Sequence, residues 1–331
     1  MLSEWLEASL DGRSPDAKEG ALAGGRYRIE GAGLLELTPA ASSATAPALI
    51  LSAGIHGNET APIELLGELL ARLEAGLLRL ATPTLVILGN LEAIRAGTRY
   101  VDTNLNRLFR RGLDAAGMEP DRARALMSAV DAFYAHHADR PRLHYDLHTA
   151  IRDSQYPRFA VDPYAETVTP ATQWRWLAGA DIQAVLHQHA HSWTFSHYSK
   201  HYHDAAAFTL ELGRALPFGD NDLAPLAPMA RLLEALVEDR PPASRSAETL
   251  AFFRVEHELR RHAEDFRLCF PDDTPNFTEF APGTRLAEDA IDGPITVGER
   301  PLRVVFPNAA VEIGARAALL VSAATPPDDG T

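Results

Sequence analysis

The stretch Ser52-Ala-Gly-Ile-His56-Gly-Asn-Glu59-Thr-Ala-Pro-Ile-Glu64 decides how the rest of the chain is read. It closes the apolar run "APALILSAGI" (46–55), which has the length and turn-bounded ends of a buried strand. It opens a segment with apolar residues at Ile63, Leu66, Leu69, Leu70 and Leu73, which is helical spacing. Thr60 is expected to cap that helix, with Pro62 tolerated in its first turn. Between strand and helix lie His56 and Glu59, flanked by Gly54 and Gly57, whose freedom lets the backbone turn tightly and approach a ligand. Ligand crevices in open α/β sheets lie outside the carboxyl ends of strands. An imidazole and a carboxylate three residues apart can chelate one cation, and both donors suit zinc. The same spacing also occurs in ordinary surface turns.

Outward from this point, strands alternate with helices. Short strands are expected over 26–38, "TLVILGN" (84–90) reads as a buried strand, and 121–138 as a helix. "RLHYDLHTA" (142–150) reads as a strand, followed by a helix near 168–179, strands near 181–187 and 206–212, and a helix over 223–239. The alternation predicts an α/β domain with a largely parallel sheet flanked by helices. The Pro/Ser-rich "EDRPPASRSAE" (238–248) then interrupts the pattern. Beyond it the helical period fades into strand-like runs between Gly and Pro turns. The expected organisation is a catalytic domain over 1–244 and a small, mostly β domain over 245–331, with a frayed tail "TPPDDGT" and no internal repeat.

Composition narrows the function classes. The 331 residues carry a net charge of −14, which argues against a nucleic-acid partner. No apolar run approaches the ~20 residues that span a bilayer. The acidic opening "MLSEWLEASLDG" lacks the basic and apolar regions of a secretory signal. Cys269 is the single cysteine, so no internal disulfide forms, and a cytoplasmic location is expected. Homo-oligomerisation is left open.

A third donor strengthens the metal reading. His148 ends the predicted strand "YDLHTA", 89 positions after Glu59. Two imidazoles and one carboxylate plus water make an open catalytic zinc site. Asp146 shares the strand face of His148, and either orients a ligand imidazole or caps nearby backbone. Glu211 is one acid within the apolar run "AAFTLELGRALPFG" (206–219). Burial there is costly and would raise its pKa, which suits a general base; pairing with Arg214 is the alternative. "AGTRYVDTNLNRLF" (96–109) supplies cations. Arg107 can grip a carboxylate through two hydrogen bonds, Asn106 adds a donor, and Arg99 could stabilise an oxyanion. For any single arginine here a solvated loop charge is the commoner case; three donors within nine residues of a Gly- and Asn-rich loop shift the balance toward a site.

Taken in order, "GIHGNETAPIE", "GTRYVDTNLNRLF", "DLHTAIR" and "TLELGRALPFG" resemble the aspartoacylase/succinylglutamate desuccinylase family of the zinc carboxypeptidase superfamily. "LLELTP" and "VVFPN…IGARAALLV" extend the resemblance over nearly the whole chain. It implies one zinc per chain on His56, Glu59 and His148, Glu211 as base and then acid, and Arg99 at the oxyanion. It also implies Asn106 and Arg107 on the α-carboxylate of the released amino acid. The implied reaction is hydrolysis of N-succinyl-L-glutamate, the last step of arginine catabolism by the succinyltransferase route. An aspartoacylase-like or carboxypeptidase-type hydrolase, or a module that kept the fold without catalysis, stands as the alternative. The succinyl carboxylate is not assigned by resemblance; Arg152, Arg158 and Lys200 are candidates from charge and position. The tract "HQHAHSWTFSHYSKHYH" (187–203) holds six of the 13 histidines. It is read either as a polar loop at the mouth of the site or as a second metal site.

Overall fold

The computed structural model describes residues 2–13 and 18–325. The tail expected to fray lies, from residue 326 on, outside the described residues. The strands of the first half are Glu19–Leu22 (β1), Gly25–Gly31 (β2), Leu34–Pro39 (β3), Ala48–Ala53 (β4), Thr84–Leu88 (β5) and Arg142–Ala150 (β6). Arg158–Asp162 (β7), Ala184–His187 (β8), Ala206–Arg214 (β9) and Ala251–Arg260 (β10) follow. The last are Arg267–Leu268 (β11), Thr278–Phe280 (β12), Arg285–Asp289 (β13), Gly293–Thr296 (β14), Leu302–Val305 (β15) and Arg316–Ala324 (β16). The α-helices are Leu2–Leu10 (α1), Ala61–Glu74 (α2), Leu91–Ala96 (α3), Met118–His136 (α4), Ala171–Gly179 (α5), Phe195–His203 (α6) and Ala227–Val237 (α7).

Thirteen strands join in one mixed sheet, ordered β1-β2-β3-β5-β4-β6-β9-β7-β8-β10-β16-β15-β12. Its centre, β5-β4-β6-β9, is parallel. Strand β4 is buried at every position and β6 at all but its first, which is why they read as continuous rather than alternating apolar runs. Helices cover both faces. Trp5 of α1, Leu66 of α2, Trp174 of α5 and Leu233 of α7 pack on one face. Val130 of α4 and Phe195 and Tyr198 of α6 pack on the other.

Irregular chain with a short 3-10 turn, Ala247–Thr249, links α7 to β10. The sheet does not stop there: β10 runs parallel to β8, and β16 and β15 extend the same sheet. A separate sheet, β11-β13-β14, belongs to this C-terminal β region. No helix among the described residues is long and apolar enough to cross a membrane.

Four local expectations are corrected. Thr60 sits at the start of α2 without a side-chain cap bond; its hydroxyl instead donates to the Leu216 carbonyl at 2.7 Å. The helix expected over 223–239 is a 3-10 turn, Ala224–Leu226, followed by α7, with a proline near the start of each. The segment read as a polar loop within 187–203 contains α6. Strand β7 and helices α1 and α3, all short, were not expected from periodicity.

Candidate active site

Strands β4, β6 and β9 are adjacent and parallel, so their carboxyl ends lie side by side at one end of the sheet. The turn after β4 carries His56 and Glu59. Gly54 adopts φ 71°, and a Cβ on Gly57 would lie 2.1 Å from the Ala93 carbonyl carbon. Only glycine lets this turn press against α3, and the His56 and Glu59 side chains beside it are buried.

His56, Glu59 and His148 are buried, with one donor atom of each within 4.8 Å of the others. His56 Nδ1 is 2.8 Å from Glu59 Oε1, and His148 Nδ1 is 2.8 Å from Glu59 Oε2. The imidazole rings stand edge to face at 5.1 Å. The Thr149 amide donates to Glu59 Oε2 at 3.1 Å, and Arg99 Nη1 donates to Oε1 at 2.8 Å. Burial alone would raise the Glu59 carboxyl; the His56 and His148 imidazoles outweigh it and hold the group well below its usual range. Burial, then Arg99, lowers His56 to about 4, so it is neutral with a lone pair to offer.

Asp146 accepts from His148 Nε2 at 3.0 Å and from the Ser52 hydroxyl at 2.6 Å. Both His148 nitrogens thus face carboxylates: burial alone would lower its pKa, but Asp146 and then Glu59 outweigh it and hold the imidazole well above its usual range. The carboxylate–imidazole pair is the arrangement that commonly supports a metal-binding histidine. The donors are two imidazole nitrogens and one ionised carboxylate oxygen in a dry, convergent setting. They fit a divalent cation of zinc's chemistry, and this group could bind one.

Register places Glu211 beside His148 on the neighbouring strand. Its Oε2 is buried without a hydrogen-bond partner. Burial, then the Glu59 charge, pushes its pKa up to about 7. The pairing with Arg214 considered from sequence is absent: Arg214 is exposed and lies 3.7 Å from Asp153.

Asn106 is buried in the short 3-10 turn Leu105–Arg107. Its Oδ1 accepts from the Phe195 amide at 2.9 Å, which leaves its NH2 group as the donor available to a ligand. Arg107 is exposed and anchored by Nη1 to the Asn106 carbonyl at 2.7 Å. Of the candidates for a distal carboxylate, Lys200 is buried in an ion pair with Asp162, and Arg158 is paired with Asp181. Arg152 donates only Nε, to the Pro307 carbonyl at 2.6 Å.

Several contributors escaped sequence reading. Asn104 Oδ1 lies 3.1 Å from His56 Nε2. Ser52 bridges Asp146 to the buried His144, whose other nitrogen meets Ser199. These residues are polar positions inside apolar strands or turns. That pattern was a usable signal for His144, but the partners come from other elements.

Fold and donor set together define an α/β enzyme with a buried two-imidazole, one-carboxylate centre and an adjacent unpaired carboxyl group. The chain belongs to the succinylglutamate desuccinylase/aspartoacylase family. Residues 45–237 match its catalytic domain, described as "Succinylglutamate desuccinylase/Aspartoacylase catalytic domain", and 248–324 match the "AstE/AspA barrel-sandwich hybrid domain". The chain is similar to a succinylglutamate desuccinylase of Yersinia pseudotuberculosis, 40% identical over 321 residues and 96% of either chain. It is also similar to crystal structures of succinylglutamate desuccinylases. That from Chromobacterium violaceum shows TM-score 0.87, 36% identity and coverage of 98% of this chain and 99% of the other. That from Vibrio cholerae shows TM-score 0.88, 32% identity and coverage of 98% and 96%.

Proposed function

We propose that this protein hydrolyses N-succinyl-L-glutamate to succinate and L-glutamate in a zinc-dependent reaction, closing arginine breakdown by the succinyltransferase route. The observation that carries the chemistry is Glu211: a buried, unpartnered carboxyl oxygen one strand away from the His56–Glu59–His148 group. The substrate rests on the 40% identity to a succinylglutamate desuccinylase across nearly the full chain.

His56, Glu59 and His148 would hold a zinc ion, which when bound makes water more acidic and a carbonyl more electrophilic. Glu211, titrating near 7, takes a proton from the attacking water and returns it to the departing glutamate nitrogen. Arg99, already 2.8 Å from Glu59, sets a positive charge beside the reacting carbonyl, where negative charge develops. The Asn106 NH2 group and the Arg107 guanidinium receive the α-carboxylate of the glutamate. Asp146 orients His148 from behind. For the succinyl carboxylate we favour Arg152, because Lys200 and Arg158 are already neutralised by Asp162 and Asp181. The acidic chain is no obstacle, since local arginines set the potential of the cleft. We place the enzyme in the cytoplasm, in keeping with a single, unpaired cysteine.

The test is comparative hydrolysis of N-succinyl-L-glutamate, N-acetyl-L-aspartate and a C-terminal dipeptide by zinc-loaded protein. The succinyl substrate is expected to lead in kcat/KM by at least tenfold. Arg152→Ala is expected to raise KM for it more than for the acetyl substrate. Equal or better turnover of N-acetyl-L-aspartate would overturn the substrate assignment.

A further inference from the structure

The histidine-rich tract lies outside the centre described above. Helix α6 sets His197 and His201 four residues apart, hence on one face, with rings stacked at 5.2 Å and 10°. The preceding loop bends back at Trp193, which adopts a left-handed φ of 53°. That bend swings His191 over the same face. Its Nδ1 lies 3.0 Å from His197 Nε2, and its ring is 4.7 Å from that of His201. Trp193 stacks on His191 at 5.1 Å and meets His197 edge-on at 5.1 Å.

One nitrogen from each histidine lies within 4.8 Å of the others; His191 and His201 are exposed and His197 is buried. The cluster is poorly satisfied as it stands. His197 Nε2 finds only another imidazole, and His197 Nδ1 is buried with no partner. A divalent cation set among these nitrogens would take up lone pairs for which the protein offers no partner but a neighbouring imidazole.

We infer that His191, His197 and His201 form a second divalent-metal site, suited to zinc. A nitrogen-only donor set favours zinc, nickel or copper over magnesium or calcium. Zn–N bonds near ~2.0–2.1 Å ask for nitrogens ~3.3 Å apart in a tetrahedron. The His191–His197 pair is already within that reach, and the exposed His201 closes the set by a side-chain rotation. Two exposed ligands leave the fourth position to water or to an external donor. The site is independent of the proposed hydrolysis, since its ligands come from a different segment than His56, Glu59 and His148.

Chelator-stripped full-length protein is dialysed against Zn2+ and its bound metal counted by mass spectrometry. The wild type is expected to retain one ion more than the His191→Ala/His201→Ala variant. That difference stands whether or not the first centre fills. His201→Gln alone, a milder change at an exposed position, is expected to weaken the extra ion's binding at least tenfold. Ni2+ is expected to quench tryptophan fluorescence in the wild type and much less in the double variant, because Trp193 lies against His191. Equal zinc uptake by all three proteins, with equal quenching, would overturn the assignment.

Discussion

Replacing Glu211 by Gln separates what this residue does for chemistry from what it costs the fold. The carboxyl group is buried, its Oε2 has no partner, and its pKa stands near 7 against an ordinary 4.5. Between those values the folded chain keeps the proton that the unfolded chain releases. The unfolded state therefore binds fewer protons, and stability falls as pH rises from 4.5 to about 7. At about 1.4 kcal/mol per pH unit, the ionised group weakens the metal-free fold by about 3 kcal/mol above that window. Gln has the same shape and cannot ionise, so Glu211→Gln removes the penalty. Urea unfolding of the metal-free protein should show the variant more stable by about 2–3 kcal/mol at pH 8, with the gain shrinking toward zero near pH 5. The same variant should lose ~10²–10⁴ in kcat, the range for removing a general base, while retaining zinc. A variant destabilised equally at both pH values would refute the buried, raised carboxyl. Normal turnover would refute its role as base.

The remaining predictions address the support around it. Asp146→Asn keeps the shape but removes the charge that holds His148 Nε2, so zinc affinity, measured by chelator competition, should fall about 10–100-fold; unchanged affinity would show that His148 needs no such partner. Gly57→Ala drives a Cβ to 2.1 Å from the Ala93 carbonyl carbon, and should cost about 1–3 kcal/mol of stability and displace the His56 turn, read as a lowered melting temperature with weaker zinc binding. His144 is held to about 4 by burial, so the unfolded chain protonates first, and stability should drop by about 3 kcal/mol as pH falls from 6.5 to 4; His144→Gln should flatten that part of the profile, and an unchanged slope would assign it to other groups.

What the sequence determined was local or periodic. A continuous apolar run identified β4 because a strand buried on both faces has no alternation to hide it. His56 and Glu59 were legible as a pair because three residues of one turn suffice to bring them together. Glu211 stood out because an acid among Phe208, Leu210 and Leu212 contradicts its surroundings. Residues 195–203 were opaque: an amphipathic period cannot be read where histidine, serine and tyrosine occupy the buried face, yet α6 buries Ser196, His197 and Ser199. Thr60 followed a sound capping rule and was overridden by the Leu216 carbonyl, a partner 156 residues away. Only tertiary structure decided which side chains meet. The lateral register of β4, β6 and β9 sets Ser52 against Asp146 and His148 against Glu211, and contacts between other elements hold Arg158 and Lys200 in ion pairs of their own. Strand pairing is a long-range choice among backbones, and a sequence read one segment at a time holds no record of which neighbour each strand will take.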